Sequence, residues 1–64
     1  MVAQRLVDAI ENKIALFPYI GRIGEVEGTR EWVVRGLPYI IVYRLDEERE
    51  AIEVLGIFHG ARNR

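Results

Sequence analysis

"PYIIVYRLDEEREAIEVLGIFH", residues 38–59, decides the fold. Its first half places Tyr39, Ile41, Tyr43 and Leu45 on one side of an extended chain and Ile40, Val42 and Arg44 on the other. Apolarity this continuous fits a central strand covered on both sides for most of its length. Pro38 can open that strand but could not sit within its ladder, having no N–H to donate. Asp46–Glu50 is a polar turn without the spaced ligands of a calcium loop. The second half alternates again, with Ile52, Val54, Gly56 and Phe58 on one face and Glu53, Leu55, Ile57 and His59 on the other. Two long runs joined by a short polar link make a hairpin.

Upstream, TREWVVR (residues 29–35) is β-branched and aromatic and predicts a third strand, punctuated by Gly36. Strands are therefore expected at about 29–35, 38–46 and 50–59. Residues 18–28 hold three glycines and a proline and predict a loop with a short extended piece at Ile23–Val26. The glycines have neither dinucleotide nor Walker spacing. Residues 2–17 predict a helix, because Val2, Leu6, Ile10, Ile14 and Phe17 recur every three or four positions, with Ala3 and Val7 widening the stripe. Pro18 ends it. The expected fold class is α+β, a single domain over residues 1–64. One amphipathic N-terminal helix packs on a three-stranded antiparallel meander, with Tyr39 and Tyr43 against Ile10 and Ile14.

The 64 residues are half apolar and 30% charged, which is globular material. Chains of this size bury only about 60% of their unfolded surface. There is no cysteine and a single histidine, so neither disulfides nor a protein-only zinc site can brace the fold, and no cofactor is expected. The remaining brace is another polypeptide, a self-copy or a different protein. The absence of cysteine fits a reducing, cytoplasmic setting. MVAQRLVDAIENK carries charges throughout, unlike a signal peptide, and no apolar run approaches the roughly 20 residues of a membrane span. A net charge of −1 gives no strong pull towards nucleic acid, so direct DNA binding by the chain alone is not expected.

Four short words carry a resemblance: F-P-x-x-G-R at Phe17–Arg22, G-T-R-E at Gly28–Glu31, P-Y-I-I-V-Y-R at Pro38–Arg44 and H-G-A-R at His59–Arg62. In this order and spacing the chain resembles the ParE/RelE superfamily of type II toxin–antitoxin toxins, on the ParE side. The resemblance aligns the helix with the second helix of that fold. The family's N-terminal strand and first helix have no counterpart here, so apolar surface and a strand edge are expected to lie open. The resemblance implies a plasmid-stabilisation toxin that poisons DNA gyrase without chemistry and is neutralised by a ParD-like antitoxin. A RelE-like ribosome-dependent endoribonuclease is the alternative, and a non-toxic, self-associating remnant is a third.

The candidate residues divide along the same line. RNA cleavage needs an acid–base group and arginines for the phosphate charge. His59, Arg30 and Arg62 could fill those places, His59 because imidazole titrates near neutrality. The arginine that RelE-type members carry in the Y-R-I-V-Y pattern is Ile40 here, and isoleucine cannot hold a phosphate. That favours the non-catalytic branch, in which Arg30, Trp32, His59, Arg62 and Arg64 are candidates for target or partner binding. Arginine pairs carboxylates with a planar fork, and tryptophan is enriched at interface hot spots. The blander readings are a solvated ion pair for Arg30 with Glu31, a core-edge Trp32, a strand-ending His59 and a solvated basic tail. No metal ligands are expected.

Overall fold

The computed structural model describes residues 2–34 and 36–60. Helix α1 spans Val2–Ala9 and runs into a π-helical turn at Ile10–Ile14. Four antiparallel strands follow: β1 (Arg22–Ile23), β2 (Thr29–Val33), β3 (Tyr39–Asp46) and β4 (Ala51–His59), in the spatial order β1-β2-β3-β4. The class is α+β, a helical layer on one sheet, with one strand more than the expected three.

The core forms where helix and sheet meet. Ile14, Ile41 and Tyr43 are fully buried, with Ala9 and Val34 beside them, and Leu6, Ile10, Trp32, Leu37, Tyr39, Leu45 and Ile52 pack around this centre. Tyr39 and Tyr43 thus share one core with Ile10 and Ile14, on the face their alternation predicts.

Three expectations are corrected, each for a local reason. The helix does not run to residue 17. The Ala15 N–H donates to the Ile10 carbonyl at 2.8 Å, an i→i−5 bond that inserts one residue into the turn. Residues beyond it are set back by about 100° from α-helical phase, and Phe17, assigned to the apolar stripe, is 59% exposed. Ala3 and Val7 are exposed as well, while Ala9 takes the inward place. Second, β1 was read only as an extended piece at 23–26. It lies at 22–23, paired as Arg22↔Glu31 and Ile23↔Arg30, and is too short for periodicity to reveal. β2 also stops at Val33, where the Val34 N–H turns back to the Tyr39 carbonyl at 3.0 Å; Arg35, expected to end it, lies outside the described residues.

The third correction concerns faces. β3 and β4 pair in register from Asp46↔Ala51 to Tyr43↔Val54, then resume at Val42↔Gly56, leaving Leu55 as the extra residue of a bulge. Beyond it the alternation inverts. Ile52, Val54, Ile57 and His59 share the helix-side face, and Gly56 and Phe58 the outer one. Among the described residues the outer face has no covering layer, contrary to the expectation for β3. Ile40 is buried there and Val42 half-buried, and the Phe58 ring folds over Gly56, coming within 2.8 Å of where a Cβ would stand.

Candidate functional site

The loop between the helix and β1 is held by side chains from distant strands. The buried Tyr43 hydroxyl donates to the Pro18 carbonyl at 2.7 Å and accepts the Gly21 N–H at 3.0 Å. Gly21 is required there, since a Cβ would stand 2.6 Å from that hydroxyl oxygen and 2.8 Å from the Glu31 carbonyl. Arg30 Nη1 donates to the carbonyls of Gly21 (2.7 Å) and Tyr19 (3.3 Å), and its guanidinium carbon lies 4.9 Å from the Tyr19 ring centroid. The Tyr19 hydroxyl in turn donates to Glu47 Oε2 at 2.8 Å. That bond and the Glu47 charge raise the Tyr19 hydroxyl above the ordinary phenol value, against the pull of Arg30. So fixed, the loop presents Leu16, Phe17 and Tyr19 to solvent, each about three-fifths exposed.

Arg30 therefore does not pair with Glu31. Glu31 lies on the other face of β2 and takes Arg22, with Nη2 at 3.0 Å from Oε1. On the same outer face Arg44 pairs with Glu53. The same face carries an open groove of about 560 Å³, lined by Val26, Glu31, Ile40, Val42, Leu55 and Phe58 among others. His59 is exposed at its rim, its ring edge-on to Tyr39 with centroids 5.5 Å apart.

The register keeps Arg30 and His59 apart. Arg30 is opposite Tyr43 on one side of β3, and His59 is opposite Tyr39 on the other. At about 3.3 Å per residue and 4.8 Å per strand, their backbones stand roughly 16 Å apart. Arg62 and Arg64 lie outside the described residues. Among the described residues no cluster of three or more His, Cys, Asp or Glu could hold a metal, and no helix is long and apolar enough to cross a membrane.

Trp32 is half-buried on the helix-side face opposite Ile41. It belongs to a second groove, between helix and β2, whose walls carry Arg5 and Lys13. Sequence reading singled out the tryptophan but neither cation, because nothing in a linear helical pattern says which polar residues overhang a strand. Tyr19 was missed for a related reason: its partners are 11 and 28 residues away.

A small helix-on-sheet frame with an exposed apolar knuckle and open grooves is what the chain presents, and its class is that of the type II toxin–antitoxin toxins. The family described as "ParE toxin of type II toxin-antitoxin system, parDE" matches residues 2–64, and the chain belongs to it. It is 36% identical over 59 residues to the protein named Putative toxin Y4kP of Sinorhizobium fredii (strain NBRC 101917 / NGR234). That match covers 92% of this chain and 57% of the relative, so the chain spans little more than half the length of the curated relative it matches. No solved structure matches it.

Proposed function

We propose that this chain is the toxin half of a cytoplasmic toxin–antitoxin pair, held by a ParD-like antitoxin, and that it inhibits DNA gyrase by contact rather than by catalysis. The observation that carries the non-catalytic reading is the dispersal of the RNA-cleaving candidates. Arg30 spends its guanidinium on two loop carbonyls. His59 stands roughly 16 Å from it by strand geometry. Ile40, where an RNA-cleaving relative carries arginine, is buried at 8% exposure. A phosphate would find no cation at that point of β3.

The apolar groove and the knuckle supply what a contact inhibitor needs: exposed apolar anchors that a partner would desolvate, with polar residues at their rims. A self-copy could cover the same surfaces, which makes homo-oligomers part of the proposal. Two assays on the purified chain separate the readings. Loss of DNA supercoiling by gyrase, restored by the antitoxin, with mRNA intact on translating ribosomes, is the expected result. Cleaved mRNA would move the chain to the endoribonuclease branch.

A further inference from the structure

We infer that the open edge of β4 is a pairing surface for a second copy of this chain, the two β4 strands running antiparallel in one register. This gives the homo-oligomer of the function proposed above a definite contact, and it rests on nothing else in that reading.

β4 is the last strand of the sheet, with no neighbour beyond it among the described residues. Edge strands are commonly guarded by lysine, proline, a bulge or shortness. Ala51–His59 is 9 residues long and has only the bulge. Which of its backbone groups are free follows from β3. Along a strand, N–H and C=O turn to one side and the other on alternate residues. The Tyr39 carbonyl accepts from Val34 N–H on the β2 side, and Gly60 N–H bonds the Pro38 carbonyl at 2.6 Å, so Tyr39 and His59 stand opposite without bonding each other. Ile41, Tyr43 and Leu45 are in phase with Tyr39. Their partners Ile57, Val54 and Ile52 therefore turn N–H and C=O outward, as His59 does. Along β4 these outward residues 52, 54, 57 and 59 come at steps of two, three and two, the step of three containing the extra Leu55.

That spacing selects the occupant, because it is the same in both directions. A regular strand offers its bonding groups at every second residue. It can follow β4 on one side of Leu55 and falls out of step on the other. A second β4 laid antiparallel carries the same extra residue in the mirrored place. Ile52 then meets the other copy's His59, and Val54 the other copy's Ile57, about a two-fold axis between Leu55 and Gly56. Both copies use the same surface, so the contact closes at two. Val54 and Ile57, 38% and 42% exposed, become apolar cross-strand pairs. Charge follows the same symmetry. Asp46, Glu47, Glu48, Glu50 and Glu53 stand before or early in β4; after Glu53 the sequence holds no acidic side chain, but has His59, and Arg62 and Arg64 outside the described residues. Arg44 answers Glu53 and Arg49 answers Asp46, whereas Glu48 and Glu50 have no ion-pair partner among the described residues. Antiparallel pairing carries the acidic end of each copy to the acid-free end of the other, where a parallel pairing would set acid beside acid.

The test uses the full chain across a range of concentrations. Sedimentation equilibrium should show a monomer–dimer equilibrium that goes no further. As dimer forms, hydrogen exchange should slow at the amides of Ile52, Val54, Ile57 and His59, while those of Glu53 and Phe58, already turned to β3, hold steady. The chain has no cysteine, so introduced thiols report the register. Val54→Cys mixed with Ile57→Cys should form a disulfide between chains, since bonded antiparallel residues stand about 5.5 Å apart at Cα. Either variant alone should cross-link far less, and Val33→Cys, on the opposite edge of the sheet, should not cross-link to Ile57→Cys. Ile57→Lys, a guard on the edge, should weaken the dimer at least about tenfold. The inference is overturned by a monomer at every concentration, by growth beyond the dimer, by outward amides that exchange unchanged in the dimer, by single-thiol variants that cross-link as readily as the mixture, by a Val33→Cys bridge to Ile57→Cys, or by a folded Ile57→Lys that dimerises as the parent does. None of these readouts involves gyrase or an antitoxin. A chain that inhibits gyrase as a monomer loses only this inference, and a dimer that leaves gyrase untouched loses only the proposed target.

Discussion

At the scale of single residues, Tyr43 does most to shape the functional surface. Its ring is core, and its hydroxyl is the post to which Pro18 and Gly21 are tied. Tyr43→Phe keeps the ring and leaves a buried N–H and a carbonyl without their partner. A loss of about 1–3 kcal/mol follows, measurable by urea unfolding, while Tyr39→Phe should stay within about 0.5 kcal/mol. Equal effects in both would mean that the tie to the loop carries no energy. Tyr19 makes the complementary prediction in pH. Its phenol is raised by the bond to Glu47 and by the Glu47 charge. A group whose folded value lies above its unfolded one stabilises below the unfolded value, near 10, and loses that contribution as pH climbs through the folded value. The loop should therefore loosen only in alkali, and Glu47→Gln should bring the Tyr19 titration down, as followed by NMR of the labelled tyrosine ring. An unmoved titration would mean that the bond does not persist in solution.

At the scale of elements, the sequence was most legible where apolar periodicity is long. β3 and β4 emerged at nearly their true bounds, and the first turns of the helix with them. What stayed hidden were single-residue insertions, the wide turn at Ile10–Ile14 and the bulge at Leu55, because each changes phase without changing composition. Phe17 and Phe58 were assigned to the wrong faces for that one reason. The candidate site was less legible still: Arg30 and His59 were correctly seen as notable, but their separation depends on register, which a single chain does not print. Two substitutions test the element-level account. Ile41→Ala, in the fully buried middle of β3, should cost about 2–5 kcal/mol, whereas Ile57→Ala on the exposed edge strand beside it should cost far less. Deleting Leu55 should remove the bulge and leave Ile57 and Phe58 on the faces they now hold, so the variant should fold and keep its amide pattern on both sides of the deletion. An unfolded deletion variant would show that the bulge itself is required.

At the scale of the whole molecule, the balance of covered and uncovered apolar surface decides behaviour. The helix covers β2 and β3, leaving Val54 and Ile57 of β4 partly open on its own side. On the other side Leu55 and Phe58 face solvent, and the knuckle adds Leu16, Phe17 and Tyr19. Among the described residues three side chains are fully buried, a thin core for a domain that must offset backbone and side-chain ordering along its length. Stability should then be set by whatever covers these faces, through mass action. A partner present at about one hundred times its dissociation constant adds about 2.7 kcal/mol. In a domain of this size each kcal/mol moves Tm by roughly 4–8 °C, so a rise of roughly 11–22 °C is expected on adding it. Without a partner, self-association should do the same work more weakly, and Tm should fall steadily on dilution. A Tm independent of protein concentration, together with a monomer throughout in sedimentation, would mean that the thin core suffices alone and that the open faces serve recognition without serving stability.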